Sequence, residues 1–143
     1  MEKNCIISLL SIQTEDDERT ESELVTEAYV ECTEDKSTIV YEDTEATGFE
    51  GSVTTVRIVD GKDATITRTG SSNSLLTFEK GKKHYCHYGT PFGMFQMGVH
   101  THAIEDTLLE NGRLYMKYTV DINNARLSDN EITITIKNFK KGL

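Results

Sequence analysis

Apolar and polar side chains alternate with period two from Asn4 to Asn138, and hardly a stretch shows the recurrence of an amphipathic helix. The alternation predicts ten strands, over residues 4–14, 24–34, 37–46, 52–60, 63–70, 74–80, 82–89, 93–109, 113–123 and 128–138. Thr, Val, Ile and Tyr dominate these runs, as a half-buried pleated surface prefers. Turn signals separate them at Glu34-Asp35-Lys36, Asp60-Gly61-Lys62, Lys80-Gly81, Asn111-Gly112 and Asn123-Asn124. Asn111-Gly112 is the strongest, because a type I′ hairpin turn needs positive φ at both central residues. The acidic run Glu15 to Glu23 reads either as a helix of one or two turns or as a long polar hairpin loop. Ten short strands leave edges that an open sheet would expose. The expectation is therefore a single all-β domain over 1–143, an antiparallel barrel of eight to ten strands, with a sandwich as the alternative.

The turns carry a register argument. A two-residue Asn111-Gly112 turn would pair Leu109 with Leu114, Thr107 with Met116 and Glu105 with Tyr118. Leu114, Met116, Tyr118, Val120 and Ile122 form the apolar phase of their strand and face inward. Ile132, Ile134 and Ile136 are the inward phase of the next strand, and a loop centred on Asn124 sets Asn130 opposite Tyr118. Glu105, Tyr118 and Asn130 are then expected in one row on the interior. Arg68 continues the phase of Ala64 and Ile66 and is a candidate partner for the Glu105 carboxylate, since an interior charge is costly unless paired. Such a cluster either pins the register or reads a ligand around an apolar cavity.

Composition narrows the partners. The chain has 143 residues, 36% hydrophobic and 27% charged, which suits one soluble domain. Its net charge of −9 is uneven: residues 1–50 hold 15 acids against 3 bases, and residues 51–143 hold 9 against 12. An acidic first third argues against a nucleic-acid partner, which needs clustered Lys and Arg. No secretory signal or membrane span is expected, and Cys5, Cys32 and Cys86 form no CxxC pair. They read as three reduced thiols in a bacterial-type cytoplasm.

The remaining motifs are modest. His84 shares a strand face with Cys86, and His100 with His102; the register sends the latter pair outward, leaves the former unassigned, and no metal or cofactor is expected. Thr90-Pro91-Phe92-Gly93 is a well-made turn that would set Phe92 at the barrel mouth, and Glu50, held between Gly48 and Gly51, is a second candidate there. No GxSxG, P-loop or HExxH sequence is present.

The segments Thr47-Gly48-Phe49-Glu50-Gly51, Ile66-Thr67-Arg68-Thr69-Gly70, Tyr88-Gly89-Thr90-Pro91-Phe92-Gly93 and Ser128-Asp129-Asn130-Glu131 together resemble the YwiB-like family, uncharacterised bacterial proteins also called DUF1934. The resemblance covers nearly the whole chain. It implies a lipocalin-like (calycin) barrel and no established activity.

The leading expectation is a non-enzymatic, cytoplasmic binder of a small, partly apolar molecule, monomeric or homodimeric. Arg68, Glu105, Tyr118 and Asn130 would orient the ligand, and Tyr41, Val56, Ile58, Met116 and Ile134 would supply apolar wall. One alternative is a protein-interaction module with a filled barrel, docking through its acidic strands 24–34 and 37–46. Another is an enzyme using Glu105 as general acid or base, its pKa raised by burial.

Overall fold

The computed structural model describes residues 2–71, 73–90 and 93–139. Ten strands follow one another: β1 (Cys5–Glu15), β2 (Glu18–Cys32), β3 (Lys36–Glu42), β4 (Ser52–Val59), β5 (Asp63–Gly70), β6 (Ser74–Glu79), β7 (Lys83–Thr90), β8 (Gly93–Thr107), β9 (Arg113–Ile122) and β10 (Ala125–Lys137). One helical turn among the described residues, α1 (Leu108–Asn111), joins β8 to β9. The strands make one antiparallel sheet in the order β6-β5-β4-β3-β2-β1-β10-β9-β8-β7. Every neighbour in that order is also a neighbour in sequence except β1 and β10, which pair Ile7 with Ile136 and Leu9 with Ile134. β6 and β7 share no ladder among the described residues. The turn between them bonds instead to β8: Gly81 N–H donates to the Thr101 carbonyl at 2.8 Å, and Thr101 N–H to that of Lys82 at 3.1 Å. The sheet is thereby rolled into a nearly closed, lipocalin-like barrel.

Alternation decides what fills it. Ile7, Ile39, Ile58, Phe78, Leu114 and Ile134 point inward and are almost wholly buried. Each such side chain stabilises the fold by about 1.5–3 kcal/mol relative to exposure. Val56, Ile58, Met116 and Ile134, expected as cavity wall, belong to this packed half of the interior.

Three local features depart from the expected pattern. The acidic run is neither helix nor long loop. Asp16 and Asp17 adopt φ of 49° and 66° and close a two-residue hairpin, after which β2 begins at Glu18. Aspartate tolerates the left-handed region, and Leu24 then falls opposite Leu9. At Asn123-Asn124, φ of 50° and 67° makes another tight turn, and an irregularity between Arg126 and Ser128 shifts the register so that Asn130 does lie opposite Tyr118.

The third departure overturns an expectation. Asn111-Gly112 is not a hairpin turn. Residues Leu108–Asn111 wind into α1, and Gly112 ends it in the left-handed conformation, φ 74°. Thr107 consequently pairs with Arg113 and Ile104 with Met116. Glu105 falls opposite Tyr115 on the outer face and is exposed. A β-bulge between Thr101 and Ala103 leaves His102 as the extra residue, and above it the phase reverses, so that Thr101 faces Tyr118. His100 and His102 remain outward and exposed.

Candidate ligand site in the barrel interior

The strand-connecting loops divide between two ends. One end carries α1 and the β2–β3, β4–β5 and β6–β7 connections; the other carries the β1–β2, β3–β4, β5–β6, β7–β8 and β9–β10 connections. Towards the second end the inward phase changes from apolar to polar. Ser11, Ser22, Asn130 and Arg68 occupy it and are only partly buried, so this half of the interior opens to solvent.

Pairing across β3, β4 and β5 sets Tyr41, Thr54 and Arg68 in one inward row. Asp43, one inward step beyond Tyr41, completes the cluster with a side chain of 0% exposure, against 15% for Arg68. A buried carboxylate must be compensated, and Asp43 has three donors. Thr47 Oγ1 donates to Oδ1 at 3.0 Å, Thr54 Oγ1 donates to Oδ2 at 2.5 Å, and Arg68 Nε lies 3.5 Å from Oδ2. Arg68 Nε–H also donates to Thr54 Oγ1 at 3.1 Å, so the threonine hydroxyl relays between guanidinium and carboxylate. The β3–β4 loop folds Phe49 over the pair, with Arg68 Cζ 3.7 Å from the ring centroid.

Two phenols border this cluster. Burial pushes the Tyr41 hydroxyl up to about 12, and the Asp43 charge adds to the effect. Burial likewise raises Tyr118 to about 12. The Tyr118 ring meets Phe78 edge-on at 4.8 Å, which ties the polar half to the core below it. Opposite Tyr118, the Thr101 hydroxyl is buried and has no hydrogen-bond partner among the described residues. Asn130 stands on another wall, donating from Nδ2 to Ser128 Oγ at 3.0 Å.

Of the residues singled out from sequence, Arg68 and Tyr118 thus share the interior with Asn130, while Glu105 lies outside. Asp43 takes the role expected of Glu105. Its signal was present, since the alternation of Ile39 and Tyr41 continues to it. Glu50 is exposed in the β3–β4 loop, where its carbonyl accepts from Ser71 Oγ at 2.6 Å, and the aromatic before it faces Arg68. Phe92 lies outside the described residues.

His84 and Cys86 pair with Val99 and Met97 and so share the inner phase, on the opposite side of the sheet from His100 and His102. Burial raises the Cys86 thiol, which disfavours the reactive thiolate. No group of three or more His, Cys, Asp or Glu able to hold a metal is found among the described residues. A cavity of about 460 Å³ lies at the α1 end, lined by Cys5, Val30, Cys32, Leu108 and Ile136 among others. A groove of about 630 Å³ lies on the outer face across β1, β10, β9 and β8. No helix among the described residues is long and apolar enough to cross a membrane.

A family model described as a domain of unknown function, DUF1934, matches residues 7–134. The crystal structure of the ywiB protein from Bacillus subtilis is similar over 95% of this chain and 93% of that one, with a TM-score of 0.71 at 18% identity. At that identity the likeness speaks for the barrel fold. No curated protein is significantly similar in sequence.

Proposed function

The chain belongs to the DUF1934 family, and from its geometry we propose a non-enzymatic binder of a small, partly apolar molecule held in the open half of the barrel. The observation that carries this reading is the buried Arg68–Thr54–Asp43 cluster beside Tyr41 and Tyr118, facing an interior that is polar and partly exposed. A barrel stabilised only by its core would gain more from apolar residues here, since a buried ion pair contributes little net stability. Phe49, stacked on the guanidinium and 36% exposed, offers apolar surface beside it. Phenol, amide and guanidinium would supply orientation. Glu105 has no part in this site, and its exposed position lacks the burial a general acid would need.

Native mass spectrometry of freshly purified protein, compared with its denatured mass, tests the reading. The expected result is excess mass that disappears on denaturation and is lost from Arg68→Met and Asn130→Leu variants that remain folded. A bare mass, together with no thermal shift on exposure to a small-molecule extract, counts against it.

The second reading is an interaction module. It draws on one observation: Glu21, Glu23, Glu27 and Glu31 lie at alternate, exposed positions on the outer face of β2. A docked partner would then be released by salt, because exposed charge contacts are screened within about 8 Å at physiological ionic strength.

A further inference from the structure

The bulge in β8 builds a second arrangement outside the barrel, independent of the interior site. Because His102 is the extra residue, it does not take the inward position that strict alternation from Thr101 and Ala103 would make ambiguous; it stands outward beside His100. The two imidazole rings lie with centroids 4.7 Å apart and planes tilted by 48°. Both border Thr119, which is paired with His100 across the β8–β9 ladder.

Hydrogen bonding fixes the tautomer of one ring. Thr119 Oγ1 donates its only proton to Asp129 Oδ1 at 2.7 Å, and Asp129 is held in turn by Arg126. His102 Nε2 lies 2.7 Å from the same hydroxyl, which can therefore only accept. Nε2 carries the hydrogen, and the lone pair is on Nδ1. An imidazole whose second nitrogen donates towards a carboxylate is the arrangement that orients histidines as metal ligands.

We propose that His100 and His102 form a bidentate site for a borderline divalent transition metal, such as Zn²⁺ or Ni²⁺, on the outer face of the barrel. With imidazole nitrogens about 2.0–2.1 Å from an ion, each ring centroid lies roughly 3.2 Å from it. Centroids 4.7 Å apart then subtend about 95° at the ion, an angle suited to adjacent ligands in the geometries these metals adopt. The nearby carboxylates serve other bonds: Asp129 holds Thr119 and Arg126, and Glu131 accepts from Tyr115 Oη at 2.5 Å. The protein thus supplies two ligands. The other coordination positions face the groove of about 630 Å³, where Lys117 favours an anionic donor such as a carboxylate or phosphate oxygen.

Calorimetric titration of the full chain with Ni²⁺ near neutral pH decides the matter. One ion is expected per chain, with affinity falling at least tenfold in His100→Ala and in His102→Ala and unchanged in His84→Ala. Thr119→Val, which removes the hydroxyl but neither imidazole, is expected to weaken binding about tenfold. Absence of binding at millimolar Ni²⁺, or equal binding by parent and His100→Ala, overturns the site. His100 occupies a regular exposed position, so its variant remains decisive if the bulge variant fails to fold. Unchanged affinity in Thr119→Val would overturn the orienting role of the Thr119–Asp129 relay.

Discussion

Asp43 accepts from two threonine hydroxyls and faces a guanidinium while exposing none of its side chain. Removing one member of such a pair leaves the other charge buried without compensation. Asp43→Ala is expected to destabilise the protein by about 3 kcal/mol, read as a lower midpoint in urea at unchanged slope. Glu105→Gln, at an exposed position, should stay within about 0.5 kcal/mol of the parent in the same measurement. The two buried phenols predict an alkaline limit. Tyr41 and Tyr118 hold their protons to about 12 in the fold, whereas an unfolded tyrosine loses its proton near 10. Between those values the folded state binds more protons, so stability is full below about pH 10 and falls as pH rises towards 12. Each phenol contributes a slope of about 1.4 kcal/mol per pH unit. Tyr118→Phe, which keeps the ring against Phe78, should remove one phenol's share of the pH dependence of the denaturation midpoint over that window and leave that of Tyr41.

At the scale of elements, the sequence made most strands legible because one face is buried and the side-chain period is two. β4, β5 and β9 fall within a residue of their expected bounds. What alternation could not supply was the parity of β8 below its bulge. Asn111-Gly112 has the composition of a hairpin turn, but Leu108 can bury its side chain only if the chain coils once before turning, and this shifted Glu105 to the outside. The outward placement of His100 and His102 was nevertheless correct, because the bulge at His102 cancels the shift for residues above it. Asp43 escaped notice for a different reason: it lay within the expected strand 37–46, but the long connection from β3 to β4 holds no tight turn that would fix which residues face it. The bulge gives a test. Deleting His102 would remove the extra residue and leave Thr101 and Ala103 adjacent opposite Tyr118 and Lys117, so Val99, Thr101 and Ile104 would all keep their inward positions. The deletion should therefore retain the dispersed amide spectrum of the fold, as should His102→Ala, and loss of dispersion in the deletion alone would show that the fold needs the bulge. Gly112 is constrained too, since a Cβ there would meet the Phe139 ring at 2.7 Å at a φ of 74°. Gly112→Ala is expected to cost about 1–3 kcal/mol in thermal or chemical denaturation.

Over the whole molecule, a net charge of −9 is spread on a barrel whose acidic residues crowd one part of its outer wall. Glu21, Glu23, Glu27 and Glu31 share the solvent-exposed face of β2 and repel one another, and salt should relieve this within the Debye length. The melting temperature should therefore rise between about 10 mM and 0.3 M NaCl at neutral pH, and a flat response would show that the charges are already compensated. The glycine at position 98 shows how local contacts bridge the strands elsewhere: Lys83 reaches across it to Asp121, and a Cβ there would meet both at 2.5 Å.

The pairing of β1 with β10 has a kinetic consequence. Every other ladder joins strands that follow one another along the chain and needs only a short connection to close, whereas this one brings Ile7 to Ile136. Loop closure of that span is the expensive step in assembling the sheet, and rates fall as such distant pairings dominate. A circular permutant opened in the turn between β6 and β7, with a linker carrying β10 into β1, would keep the same strand order while making every ladder local. Its refolding in stopped flow should be faster than the parent's, even where the two are equally stable.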